Sequence, residues 1–323
     1  NEENYISNID KMTYSSNINS IGDVKNNANY FFHKKDICDE SFLISHLEDF
    51  KPNYIIHLAA ETHVDRSIDG PSEFIKSNIL GTYNILNAAH KYWSSLNKVD
   101  NETFKIIIVS TDEVYGSLNL NDPQSTENSP YRPNSPYSAS KASADHLSRA
   151  WFKTYGLPLL ITNTTNNYGP WQFPEKLIPL TILKCLKNQK IPIYGNAEQI
   201  RDWIFVDDHT EGILNVLKKG KIGEKYNIGC NNELKNIDVV KNICSILDRL
   251  IPIKKGKYSD LIEFVDDRPG HDNRYALNNN KIKSLGWNPK LGWERGLEET
   301  INWYINNQDF LTAYSGERLG RSR

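Results

Sequence analysis

Five short apolar runs punctuate the first half of the chain: Tyr5 to Asp10, Tyr30 to His33, Tyr54 to Ala60, Ile106 to Val109 and Leu157 to Thr162. Ile106-Ile107-Ile108-Val109 is the clearest, because an unbroken β-branched run suits a strand buried on both faces of a parallel sheet. Between the runs, Ser41 to Phe50 sets Phe42, Leu43, Leu47 and Phe50 at helical spacing until Pro52 stops it, and Ser77 to Trp93 reads as one long helix. Strands alternating with helices predict a doubly wound, mostly parallel α/β sheet. Residues 117–135 are rich in Pro, Asn and Ser and read as a loop over the active site. After Pro170 the strands become short and the connections longer and charged. We therefore expect a first domain over 1–170, to which 204–218 returns, and a smaller mixed α/β lobe over 171–323.

Ligands in such sheets bind outside the carboxyl ends of the strands. There the chain carries Ser110-Thr111-Asp112-Glu113-Val114-Tyr115-Gly116: a hydroxyl, two adjacent carboxylates and a glycine turn. About 25 residues on, Ser135-Pro136-Tyr137-Ser138-Ala139-Ser140-Lys141 reads as a helix start, with Tyr137 and Lys141 at i and i+4 on one face. An ammonium beside a phenol favours the phenolate, which could take a proton from a sugar hydroxyl as hydride leaves its carbon. Asp10, at a strand end, suits hydrogen bonds to both ribose hydroxyls of adenosine and disfavours a 2′-phosphate, which points to NAD rather than NADP. His57 sits inside an apolar strand and reads as a core histidine. Arg201 and Arg268 suit a diphosphate, and Pro269 and Gly270 fix the turn that aims Arg268 and His271.

The chain has 323 residues and a formal net charge of −2. Without a basic block, nucleic acid is not expected as a partner. No apolar run approaches a membrane span. Cys38, Cys185, Cys230 and Cys244 are scattered, which suits reduced thiols in a cytoplasmic protein and neither a disulfide framework nor a metal site.

Thr111-Asp112-Glu113 together with Tyr137-Ser138-Ala139-Ser140-Lys141 resembles the extended short-chain dehydrogenase/reductase superfamily, and within it the dTDP-glucose 4,6-dehydratase family. The resemblance runs from Asn8-Ile9-Asp10-Lys11 to Gly316-Glu317-Arg318-Leu319-Gly320. Related sugar epimerases keep the Tyr and Lys but carry small residues in place of the Asp-Glu pair. The resemblance implies a Rossmann-type fold, NAD as cofactor, a nucleotide-sugar substrate and a homodimer. It assigns catalysis to Thr111, Asp112, Glu113, Tyr137 and Lys141. It gives cofactor contacts to Asp10, Lys11, Thr13, Asp36, Ile37, Leu58, Ala59, Ala60 and Ser77, besides Tyr137 and Lys141. Substrate contacts fall to Thr62, Thr111, Asn167, Lys176, Leu177, Pro192, Tyr194, Arg201, Asn236, Arg268 and His271. The family carries Cys-Ser where Thr164-Thr165 stand here, a departure on the nicotinamide side.

The implied reaction is a redox-neutral dehydration of dTDP-glucose to the 4-keto-6-deoxy sugar, as in deoxysugar biosynthesis. No residue reads thymine, so UDP-glucose or another nucleotide sugar stays open as substrate. A 4-epimerase needs no acid–base pair at C5 and C6. The chain opens on Asn1, its only methionine is Met12, and it contains no G-x-x-G-x-x-G. It reads as a fragment starting within the second strand, without the first strand and Gly-rich turn, and a non-catalytic chain unable to bind NAD is therefore the other alternative. A gap or mispaired strand is expected between Ile6 and Ile56, with an open groove where the pyrophosphate belongs. At about 1–3 kcal/mol per unsatisfied buried group, against about 5–15 kcal/mol for a whole domain, poor stability and weak NAD binding are expected.

Overall fold

A computed structural model of the chain describes residues 4–313; the Gly316–Gly320 stretch of the resemblance lies outside them. The chain divides into two compact units: residues 1–110, 136–161 and 221–224 form one, and residues 111–135, 162–220 and 225–323 the other. This division differs from a boundary at 170. Residues 111–135 group with the second unit, 136–161 with the first, and 204–218 with the second.

In the first unit, β1 (Ile6–Asp10) pairs in parallel with β2 (Tyr30–Lys34), from Ile6↔Tyr30 to Asp10↔Lys34. β3 (Tyr54–His57) pairs in parallel with β4 (Lys105–Thr111), from Tyr54↔Lys105 to His57↔Ile108. β4 in turn adjoins β5 (Leu159–Thr164). β1 and β3 belong to different sheets, so the expected break between Ile6 and Ile56 is present. Both strands keep apolar side chains on the open edges, with Ile6 50% and Ile56 38% exposed. At the other extreme, Ile106, Ile107 and Ile108 are fully buried, each contributing about 1.5–3 kcal/mol of apolar burial.

The helix at Glu40–Phe50 starts where the Asp39 side chain accepts from Phe42 N and ends on Lys51 in the left-handed region, before Pro52. The stretch read as one helix from Ser77 is not uniform. Residues Ile75–Leu80 form a wide π segment, and regular α-helix runs only over Gly81–Ser95. Its start is tightly packed, since a Cβ on Gly81 would stand 2.5 Å from Ile37 Cδ1. β3 ends at His57, leaving Leu58, Ala59 and Ala60 in the loop beyond it.

The second unit contains β6 (Asn166–Tyr168), β7 (Ile191–Tyr194), β8 (Ile200–Phe205), β9 (Lys225–Ile228), β10 (Glu233–Lys235) and β11 (Ile262–Val265). β8 is central, antiparallel to β10 and parallel to β6. β7 and β11 form a parallel pair. Tyr168, Trp203, Ile182, Val240, Ile243 and Tyr304 belong to one buried apolar cluster. The buried Asp202 carboxylate accepts backbone N–H from Cys230, Asn231 and Asn232, fixing the loop before β10.

Candidate active site

In the second unit, β4 ends on Thr111 and the chain turns into a single 3-10 turn, Asp112–Tyr115. Thr111 Oγ1 accepts from Glu113 N at 3.3 Å and donates to Asp112 Oδ1 at 3.2 Å. Asn163 Nδ2 donates to Thr111 O at 3.2 Å, and Tyr115 OH donates to Asn227 Oδ1 at 2.9 Å. Gly116 closes the turn at φ 82°, and a Cβ there would stand 2.2 Å from Arg132 O, so no other residue fits.

Asp112 is buried, and its Oδ2 has no hydrogen-bond partner among the described residues. Burial, followed by the Glu113 charge, pushes its carboxyl well above the usual carboxylate range, while Arg201 opposes. Glu113 is also raised by burial, but Arg268, Arg201 and Lys176 pull it back. Burial raises both neighbours, but three cations oppose the rise at Glu113 and Arg201 alone among the cations named opposes it at Asp112, so their surroundings are unequal.

The second unit also carries most of the expected substrate set, of which Arg201, Arg268 and Lys176 act on this pair through their charge. Arg201 is 5% exposed. Its Nη1 donates to Ile200 O at 2.7 Å and its Nη2 to Asp272 O at 2.9 Å. The His271 Nδ1 lies 2.6 Å from Asp267 Oδ1, and the same oxygen accepts from Arg268 N at 2.8 Å. Burial, helped by Arg268, lowers His271 to about 4. Gly270 supplies the left-handed turn at φ 64°, and the Tyr194 ring stands edge-on to His271. Asn167 Nδ2 donates to Thr165 O at 3.1 Å. Lys176 and Leu177 open the Leu177–Leu186 helix, and Asn236 opens the Asn236–Leu250 helix. Pro192 is exposed on β7. Asp267, which sets both Arg268 and His271, went unread in the sequence, where it is one of several acidic residues before the turn.

In the first unit, Tyr137 and Lys141 lie in the helix Pro136–Tyr155, at 7% and 5% exposure. Lys141 Nζ donates to Val109 O at 2.8 Å. Burial lowers the Lys141 pKa, with Asp145 opposing, so burial works against the ammonium on which the phenolate argument relied. Tyr137 stands edge-on to Phe74.

Asn78, in the π segment, was missed by the sequence reading. Its Oδ1 accepts from Glu61 N at 2.8 Å, and its Nδ2 donates to Glu61 O at 2.9 Å and to Ser140 Oγ at 2.8 Å. It thereby ties the loop bearing Thr62 to the first turns of the Tyr137 helix, and Ser140 Oγ donates to Tyr137 O at 2.7 Å. His57 is the core residue expected. Its Nε2 lies 2.9 Å from Thr82 Oγ1, whose own proton goes to Asn78 O at 2.7 Å, so Nε2 carries the hydrogen. Burial, then Lys141, lowers it to about 3.

The cofactor candidates also fall in the first unit. Asp10 ends β1 and accepts from Met12 N at 2.6 Å. Lys11 Nζ pairs with Asp36 Oδ2 at 2.9 Å just past β2, beside the buried Ile37. Leu58, 57% exposed, and Ala59 and Ala60 follow β3. Thr13 follows β1, and Ser77 lies in the π segment. A carboxylate at the end of β1, Asp36 and Ile37 past β2 and small residues past β3 are of the kinds that suit the ribose and adenine of a dinucleotide.

Residues 2–300 match the family model described as GDP-mannose 4,6 dehydratase. The chain is 50% identical to dTDP-glucose 4,6-dehydratase of Escherichia coli, covering 99% of this chain and 93% of that protein. The crystal structure of DesIV, a dTDP-glucose 4,6-dehydratase from Streptomyces venezuelae solved with NAD bound, superposes with a TM-score of 0.85 at 39% identity, covering 95% and 89% of the two chains. The Bacillus anthracis dTDP-glucose 4,6-dehydratase in complex with NAD gives 0.84 at 41% identity, covering 97% and 91%.

Proposed function

The chain belongs to the dTDP-glucose 4,6-dehydratase family, and from that membership we propose that it dehydrates dTDP-glucose to dTDP-4-keto-6-deoxyglucose, with NAD as cofactor, in deoxysugar biosynthesis. The observation that carries this reading is the Asp112–Glu113 pair, one member buried with an unmet oxygen and the other raised by burial against the pull of three cations. A simple dehydrogenase or an epimerase has no use for such a pair.

Asp10, Lys11, Thr13, Asp36, Ile37, Leu58, Ala59, Ala60 and Ser77 hold the adenosine side and Tyr137 and Lys141 the nicotinamide side. These residues would hold NAD, and the bound cofactor would supply hydride acceptance at C4 and hydride return at C6. Tyr137, with Lys141 one turn on in the same helix, takes the proton of the C4 hydroxyl. Thr111 hydrogen-bonds the C4 oxygen. Once C4 is a ketone the C5 hydrogen is acidic, and Glu113 removes it. Asp112 gives its proton to the C6 hydroxyl, the C6–O bond breaks and water leaves. Arg201, Arg268 and Lys176 supply positive charge for the diphosphate. Thr62, Asn167, Leu177, Pro192, Tyr194, Asn236 and His271 complete the substrate contacts. The protein acts in the cytoplasm as a homodimer; its four free thiols suit that compartment, and exposed Tyr83 and Tyr155 on the first unit's helices supply apolar surface for a partner copy.

Incubation with dTDP-glucose and, separately, UDP-glucose tests the reading through the alkali absorbance of the 4-keto product. We expect product from dTDP-glucose with no net reduction of NAD. Stoichiometric reduced cofactor without dehydrated product would overturn it.

A further inference from the structure

Arg201 is a buried guanidinium with no carboxylate within ion-pair distance among the described residues, yet it acts on both Asp112 and Glu113. Its seat is built from three residues outside the sets above. The Tyr275 ring lies under the guanidinium, 4.3 Å from Cζ to centroid. The Tyr275 hydroxyl donates to Asp272 Oδ2, and Asp272 Oδ1 accepts from Asn134 Nδ2 at 2.6 Å. The Asp272 carbonyl takes the Arg201 Nη2 proton. Asp272 and Tyr275 are each 5% exposed. A planar cation held on an aromatic face keeps its charge pointed in one direction without neutralising it, as a direct carboxylate partner would.

We propose that Asn134, Asp272 and Tyr275 form a positioning brace that fixes the Arg201 guanidinium in the orientation from which its charge acts on Asp112 and Glu113, so that Tyr275 and Asp272 control the elimination step through Arg201. The proposal rests on the dehydration reading above. The groups facing Glu113 are Arg268, Arg201 and Lys176, which favour its charged form, and Asp272 and neighbouring Asp112, which oppose it. Removing the ring frees Arg201 and takes positive charge away. Removing the Asp272 charge, while an amide still bonds Tyr275 and Asn134, takes negative charge away. The two changes therefore move the ionisation of Glu113 in opposite directions, which loss of packing alone would not do.

The test is the pH profile of C5 hydrogen exchange in the holoenzyme with dTDP-glucose in deuterated water, alongside single-turnover C4 oxidation. For Tyr275→Leu we expect exchange to fall about tenfold and its acid limb to move up by about one pH unit. Tyr275→Phe keeps the ring and should stay within about threefold of the parent protein. Asp272→Asn should move the acid limb down. Because Arg201 also serves the diphosphate, C4 oxidation is read at saturating dTDP-glucose, where it should change little in all three. Equal losses in the Phe and Leu variants, or acid limbs that stay put or shift together, would overturn the brace. If Tyr275→Leu does not fold, the downward shift of Asp272→Asn together with the retained rate of Tyr275→Phe decides the matter. If the parent protein itself shows no C5 exchange, the dehydration reading fails instead.

Discussion

Burial presses the Tyr137–Lys141 pair and the Asp112–Glu113 pair the same way, toward neutral groups. Burial drives the Lys141 ammonium toward neutrality in the first unit and drives the Asp112 carboxyl toward neutrality in the second. Their surroundings differ in what compensates. Lys141 is answered by one backbone carbonyl and by Asp145. Glu113 is answered by three cations, so it is held closer to its charged form than its neighbour. In the proposed mechanism one pair handles a single proton at C4, whereas the other must keep a base and an acid side by side. The lesson is that adjacent carboxylates become an acid–base couple through the unequal distribution of cations around them, not through adjacency alone.

Removing each proposed proton carrier in turn should separate the two pairs most strongly. Tyr137→Phe should slow C4 oxidation by about 10³-fold, read as single-turnover reduction of NAD. Glu113→Gln should leave C4 oxidation within a few-fold and slow C5 exchange by about 10²–10³-fold. Asp112→Asn should spare both and slow loss of the C6 hydroxyl by about 10²-fold, so that an oxidised sugar accumulates. Equal damage to C4 oxidation by all three would erase the division of labour.

A smaller effect falls on stability. His57 is buried neutral at about 3 against an ordinary 6.5. A histidine depressed in the fold gives stability that is complete above about pH 6.5 and is lost as pH falls toward 3, because the unfolded chain takes up the proton first. Melting temperature should therefore drop through that window, and His57→Gln should flatten the drop while keeping an N–H for Thr82. Smallest of all, Lys11→Ala removes an ion pair whose side chains are 42% and 27% exposed. It should cost under about 1 kcal/mol and matter less at high salt.

The contrast between the pairs also marks how far the sequence could be read. The β-branched run before Thr111 announced a buried parallel strand, and the chemistry at its carboxyl end followed from the geometry of such sheets. Tyr137 and Lys141 were legible because i, i+4 spacing is local. The break between β1 and β3 was legible from what the apolar runs lacked. The π segment was not, since Ile75 to Leu80 has ordinary helix composition and its widening accompanies Asn78 turning to Glu61 and Ser140, far off in sequence. The seat of Arg201 was equally hidden, because Asn134 and Asp272 meet across 138 residues and an isolated Arg looks like a surface charge.

In the proposed reaction the oxidation at C4 and the dehydration at C6 are one redox-neutral event, completed by Glu113 and Asp112. Conversion of dTDP-glucose deuterated at C4, followed by nuclear magnetic resonance of the product, tests it most directly. We predict that the deuterium reappears on C6 and that C5 acquires its hydrogen from solvent. Deuterium lost to solvent, or retained on reduced cofactor with no 6-deoxy product, would contradict it.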